Sequence, residues 1–234
     1  MAKVTLENLN KIFVSKIGKD VKAVNDFNLL LEDGEILALL GSSGCGKTTT
    51  LRMIAGFETA TSGQIKIGER IVNDLKPADR NVAMAFEGYA LYPPLTVKDN
   101  IAFSLMRERI SKDKVDSKVM EVAELLEITD ILERYPPSIS GGQQQRVSLA
   151  RALVRDSDAL LLDEPMSQLE PQLRAVLRAR VKDYIQHNNK TVIFVTHDQT
   201  EAVALADKIA VMENGDLKQL ASPYEISAKP SNVF

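Results

Sequence analysis

The sequence predicts an α/β protein with a mainly parallel sheet, a smaller antiparallel part and an inserted helical section. Three observations predict it. Apolar runs at residues 36–40, 81–86, 159–162 and 192–195 are of strand length and are separated by helical patterns, the arrangement of α/β chains. Gln64, Ile65, Lys66 and Ile67 alternate in polarity before Gly68, which suits an antiparallel pair. Between residues 111 and 132, Val115, Val119, Val122 and Leu126 recur at helical spacing, and Pro136 and Pro137 are expected to stop that helix.

A length of 234 residues suits one large α/β domain. We place its core in residues 1–86 and 156–234, with the helical subdomain at about 87–155. Hydrophobic residues make up 44%, enough for a sizeable core. A net charge of -3 gives no general attraction to nucleic acid, so no nucleic-acid partner is expected. Cys45 is the single cysteine, which excludes an internal disulfide and fits a reducing compartment. The first seven residues carry Lys3 and Glu7 and do not resemble a signal peptide. No run approaches the roughly 18 apolar residues a spanning helix needs.

The run at 36–40 is followed by Gly41, Ser42, Ser43, Gly44, Cys45, Gly46, Lys47 and Thr48, then Thr49, with a helix expected from Lys47 to Ala55. This is the spacing of a Walker A phosphate loop. Glycines let the backbone curl so that its N–H groups point at phosphate oxygens. The helix that follows adds its positive N-terminal end. Lys47 can reach the β- and γ-phosphates, and the Thr48 hydroxyl can ligate Mg²⁺. Cys45 fills a free position of the loop and reads as a small buried residue.

Residues 159–162 end in Asp163 and Glu164. Ligands of open α/β sheets sit beyond the carboxyl ends of strands, so both acids should face the phosphate loop. Asp163 suits Mg²⁺, and Glu164 suits a base that orients and deprotonates an attacking water. A third motif is Ile139, Ser140, Gly141, Gly142 and Gln143, opening a helix whose apolar face is Val147, Ala150 and Val154. It is a second anion-binding helix start without a lysine of its own. A plain N-capped helix needs no Gly-Gly-Gln, so the motif points beyond capping.

With these three motifs in order, the sequence resembles the nucleotide-binding subunits of ABC transporters over essentially its whole length. The resemblance implies ATP and Mg²⁺ as cofactors, with Thr48, Glu87 and Asp163 at the metal. It implies a head-to-tail homodimer, or a pairing with a similar ATPase subunit, in which Ser140, Gly141, Gly142 and Gln143 complete the nucleotide site of the opposite copy. By the same resemblance His197 is the switch histidine at the γ-phosphate and Phe13 the aromatic that stacks on adenine. His187, in a polar run, reads as a solvated helix end.

Residues 77–80, 89–97 and 215–226 resemble the maltose-type sugar importer ATPases in particular. This implies an ATPase that powers carbohydrate import. Two transmembrane permease subunits are its expected partners, touched by the loop near residues 87–94, and an extracytoplasmic solute-binding protein acts indirectly. The expected location is the cytoplasmic face of a bacterial or archaeal membrane. After Ser222, with Pro223, Tyr224, Glu225, Ile226 and then Pro230, Ser231, Asn232, Val233 and Phe234, such proteins continue into a C-terminal regulatory domain. That domain is expected to be absent from this sequence.

Two positions depart from the family pattern. Glu87 stands where glutamine is usual, a catalytic position that by the resemblance links Mg²⁺, the attacking water and the transmembrane interface; it keeps an oxygen ligand for Mg²⁺ but adds charge near ATP. Glu170 stands where aspartate is usual, and its extra methylene implies a competent but slower ATPase. Two competing readings stay open. One is a non-transport ABC ATPase, against which residues 89–96 argue. The other is a poorly hydrolysing nucleotide-binding regulator, against which Lys47, Asp163, Glu164 and His197 argue.

Overall fold

The computed structural model describes residues 2–15, 18–106 and 110–229. Residues 230–234, noted above for their likeness to a run into a further domain, lie outside it. The chain opens with an antiparallel pair, β1 (Val4–Phe13) and β2 (Val21–Leu31), followed by β3 (Ile36–Gly41) and α1 (Lys47–Ala55). β4 (Ser62–Ile67) and the two-residue β5 (Arg70–Ile71) extend the antiparallel part, and β6 (Val82–Ala85) returns to the core. Three helices follow: α2 (Val97–Phe103), α3 (Lys112–Leu125) and α4 (Gly141–Leu153). The rest is β7 (Ala159–Asp163), α5 (Pro171–His187), β8 (Val192–Thr196), α6 (Gln199–Leu205), β9 (Lys208–Glu213), β10 (Asp216–Ala221) and α7 (Pro223–Ala228).

The described strands form one sheet in the order β5-β4-β1-β2-β10-β9-β3-β8-β7-β6. β9, β3, β8, β7 and β6 are parallel, whereas β5, β4, β1 and β2 pair antiparallel, joined to the rest through β10. The parallel strands read as continuous apolar runs because both their faces are covered. Successive residues point to opposite faces. Ile36, Ala38, Leu40, Leu160, Leu162, Val192 and Phe194 therefore join the core under α2, α3, α4 and α5. Leu37, Leu39, Ala159, Leu161, Ile193 and Val195 join the core shared by α1 and the antiparallel strands. This arrangement matches the α/β architecture expected from the sequence. No helix among the described residues is long and apolar enough to cross a membrane.

The helix expected up to Leu132 ends at Leu125 instead, well before the two prolines. Glu127 adopts left-handed backbone at φ 53. The guanidinium of Arg146 from α4 then takes the carbonyls of Leu126 and Glu127. That turn directs Ile128 and Ile131 into the core, both buried. Pro136 instead begins a short 3-10 turn, Pro136–Ser138, leading to the start of α4.

A side chain from residues 77–80 completes the end of α1. Its last carbonyls lack intrahelical partners, and Arg80 supplies them. The Arg80 Nη1 donates to Met53 O at 2.7 Å and Ile54 O at 3.0 Å, Nε to Leu75 O at 2.9 Å, and Nη2 to Asn73 O at 2.9 Å. The residue is buried, and burial pulls its pKa down. Arg80→Met keeps the bulk and strands the carbonyls of Ile54, Leu75 and Asn73, while Met53 O keeps the Gly56 N–H, so it should cost about 3 kcal/mol in urea unfolding. A loss well below 1 kcal/mol contradicts the role of Arg80 as a clamp.

Candidate functional site

β3, β8 and β7 are adjacent and parallel, so Gly41, Thr196 and Asp163 finish at one edge of the sheet. Each strand releases its chain there into a different functional segment. From β3 comes the loop Gly41, Ser42, Ser43, Gly44, Cys45 and Gly46, which ends on α1. Gly46 caps that helix at φ 104, and a Cβ on it would lie 2.2 Å from Ala23 O. A Cβ on Gly41 would meet Met212 O at 2.3 Å and Cys45 Sγ at 2.7 Å. Only glycine fits at either point. Cys45 is buried, as expected of a small filler.

Lys47 is buried, and its ammonium donates to Gly41 O and Ser42 O, both at 2.8 Å. The Thr48 hydroxyl donates to Asp163 Oδ1 at 3.0 Å, linking the loop of β3 to the end of β7. Asp163 is buried. Burial pushes its pKa up, the Thr48 hydrogen bond pulls it down, and the nearby charges of Glu87 and Glu164 push it up again. Glu164 follows in left-handed backbone at φ 49, unusual for a residue other than glycine. Its backbone is held on both sides: its N–H donates to Val195 O at 3.1 Å, and Gln145 Nε2 donates to its carbonyl at 2.9 Å. His197 is exposed just past β8, with Nδ1 3.2 Å from Glu164 Oε1.

Ser43, Gly44, Gly46, Lys47, Thr48, Thr49, Glu87 and Glu164 line one cleft of about 220 Å³. Glu87 is exposed at its rim. A loop N–H nest, an ammonium and a helix start on one wall suit phosphate. A hydroxyl and carboxylates on the other suit a hard cation. Among the described residues no cluster of three or more His, Cys, Asp or Glu can hold a metal unaided.

Of the predicted site residues, Gly41, Ser42, Cys45, Asp163 and His197 do not line this cleft, and two further parts are on other segments. Phe13 is 41% exposed at the end of β1, with the Lys11 ammonium 4.7 Å from its ring centre, and it does not line the cleft. Ser140, Gly141, Gly142 and Gln143 sit at the start of α4, also outside the cleft. Ser140 Oγ accepts from Gln143 N at 3.3 Å, and Gln143 Oε1 accepts from Ser140 N at 2.9 Å. This reciprocal capping box gives Gln143 a local structural role, which corrects the expectation that capping alone needs no glutamine there. His187 is the exposed last residue of α5.

Sequence reasoning passed over two contributors. Gln145, buried in α4, also accepts from Gln168 N at 2.9 Å and so ties the helix to the loop after Glu164. Its place inside a run of three glutamines hid it. The buried Glu201 was passed over because it reads as one more polar residue of a helix start.

A glycine-rich loop between a strand and a helix, with acids at the end of a parallel strand two places away in the sheet, defines the P-loop class of α/β fold. A family model described as ABC transporter matches residues 24–167, and the chain belongs to that family. The chain is 48% identical to the trehalose/maltose import ATP-binding protein MalK of Thermococcus litoralis, covering 100% of this chain and 63% of that protein. It is 43% identical to the xylose/arabinose import ATP-binding protein XacK of Haloferax volcanii, with 100% and 61% covered. It is 44% identical to the sn-glycerol-3-phosphate import ATP-binding protein UgpC 3 of Agrobacterium fabrum, with 100% and 65% covered. The chain thus spans less than two thirds of the length of these relatives. A solved structure of the ATP-binding cassette MJ0796, described as a dimeric post-hydrolysis state bound to ADP and Pi, superposes with a TM-score of 0.86 at 26% identity, covering 94% of this chain and 98% of that one.

The raised pKa of Asp163 has a consequence for stability. Its contribution is most favourable where the carboxyl is protonated, below the ordinary 3.8, and is lost as pH rises through the raised folded value. Asp163→Asn keeps an acceptor for Thr48 and removes the charge. In metal-free buffer it should melt higher than the parent at pH 7, with the gap closing toward pH 4. A variant that melts lower at pH 7, or a gap independent of pH, contradicts this assignment.

Proposed function

We propose that the chain is the ATP-hydrolysing part of an ABC importer and works as one of two copies that close head to tail around ATP. The observation that carries this reading is the bridge from Thr48 to Asp163, with Glu164 held beside it against His197. It joins a phosphate-binding wall to a candidate base within one cleft. In this reading the N–H groups of residues 43–48 and the helix start take the phosphates. The Lys47 ammonium exchanges its two backbone carbonyls for β- and γ-phosphate oxygens.

Thr48, Asp163 and Glu87 are the ligands for Mg²⁺, which when bound neutralises phosphate charge. Glu164 takes the proton of the attacking water, and His197 orients Glu164 and the γ-phosphate. Phe13 stacks on the base. Ser140, Gly141, Gly142 and Gln143 of one copy complete the site of the other, which accounts for their distance from the cleft of their own chain.

Carbohydrate is the cargo class this reading favours, supported by the trehalose/maltose and xylose/arabinose relatives. The helical subdomain, about residues 87–155, is the part we assign to permease contact. Beside the exposed Tyr92, Phe103 and Met106 lies a groove of about 470 Å³, with Arg151 5.4 Å from the Tyr92 ring centre. Exposed apolar side chains around a groove mark a protein-binding surface. Two transmembrane permease subunits are the partners it fits, with a solute-binding protein acting on them from the far side. The chain then works peripherally, on the cytoplasmic face of the membrane.

The test of the base is Glu164→Gln. Steady-state phosphate release should fall about 10²–10⁴-fold, while ATP binding, read by equilibrium titration, is retained. An unchanged rate removes Glu164 from the role of base.

A further inference from the structure

Beneath Glu164 and His197 lies a second, smaller cavity of about 50 Å³, lined among others by Glu164, Arg174, Thr196, His197 and Glu201. Glu201 stands in the first turn of α6 and is only 4% exposed. Its Oε2 accepts a 2.6 Å hydrogen bond from the Thr196 hydroxyl. The same Thr196 oxygen accepts from Asp198 N at 3.0 Å, so the turn carrying His197 is pinned on both sides of the histidine. Asp198 in turn accepts from Thr200 N at 2.8 Å and Glu201 N at 3.2 Å. Its Oδ2 lies 3.7 Å from Arg174 and 3.8 Å from Arg178. The second carboxyl oxygen of Glu201 accepts from no described protein group, and Arg174 Nε donates to none.

A buried carboxyl is costly to keep inside a fold, and burial does push this one up in pKa. A residue with one oxygen spent on a neighbouring hydroxyl, the other without a described protein partner, and a place in the lining of the cavity that Glu164 also lines is placed for work there. The cavity exceeds the room one water needs, and two residues that line it carry an unused acceptor, Glu201 Oε1, and an unused donor, Arg174 Nε–H. We propose that Glu201 is a positioning residue. Through Thr196 it fixes His197 against Glu164, and through water held in the small cavity it braces the Glu164 side. The inference rests on the reading that Glu164 and His197 act in hydrolysis.

The chain has two histidines, so its imidazole NMR signals give a direct readout with His187 as internal control. In Glu201→Ala the His197 signals should move and those of His187 should not, with the melting temperature close to that of the parent. Glu201→Gln keeps an acceptor for Thr196 and should return His197 toward its native position. Should Glu201→Ala fail to fold, Glu201→Leu removes the same acceptor while filling the space and leaves the Thr196–Asp198 bond intact, and the same displacement of His197 is expected. Unmoved His197 signals in either folded variant overturn the proposal. In hydrolysis assays Glu201→Ala should lower kcat on the order of 10–100-fold with KM for ATP within about twofold, since misplacement acts on the reacting geometry. A rise in KM at unchanged kcat overturns it as well. Full-rate hydrolysis by Glu164→Gln would instead defeat the assignment of the base and leave the anchoring of His197 standing.

Discussion

The structure depends on three parallel strands ending together. β3, β8 and β7 lie side by side, and the Thr48 to Asp163 hydrogen bond closes the gap between the first and the third. Most of the site follows from that edge: the loop leaves β3, the histidine turn leaves β8, and Asp163 and Glu164 end β7, with Glu87 coming from beyond the adjacent β6. The strands have little freedom to shift, since each buries alternate residues in two separate cores. A slip of one residue would exchange the faces of a whole strand.

The arrangement sets a charge problem as well as a shape. Asp163, Glu164 and Glu87 interact across a small volume, and burial of Asp163 raises the cost of keeping it ionised. The Lys47 ammonium is nearby but engaged with the loop's own carbonyls. In our reading the cleft is therefore strained electrostatically until a nucleotide and its cation enter. Sites that trade stability for function behave this way. Glu87, a carboxylate where the family usually has an amide, adds to the same load.

The parallel strands and α1 were legible in the sequence because continuous apolar runs and the glycine loop are local signals. Ile36–Gly41 and Lys47–Ala55 fall where the pattern put them. The end of α3 was not legible. It depends on Arg146, twenty residues on from Leu126, and on left-handed backbone at Glu127, neither of which periodicity reports. Within the cleft, motif spacing found Lys47, Thr48 and Glu164, and it found Asp163, which is bonded to Thr48. Gln145 and Glu201 escaped notice because their roles arise from contacts across the fold, Gln145 with the loop after β7 and Glu201 with the end of β8. The capping box of Ser140 and Gln143 shows the opposite case, a motif residue with a plain local task.

In our account the start of α4 and the phosphate loop belong to one nucleotide site made by two copies. The direct test is ATP hydrolysis by the purified chain as a function of its concentration. The account predicts a rate per subunit that rises with concentration toward a plateau, as dimers form. A rate per subunit that is finite, abolished by Glu164→Gln and independent of concentration down to the monomer contradicts a shared site.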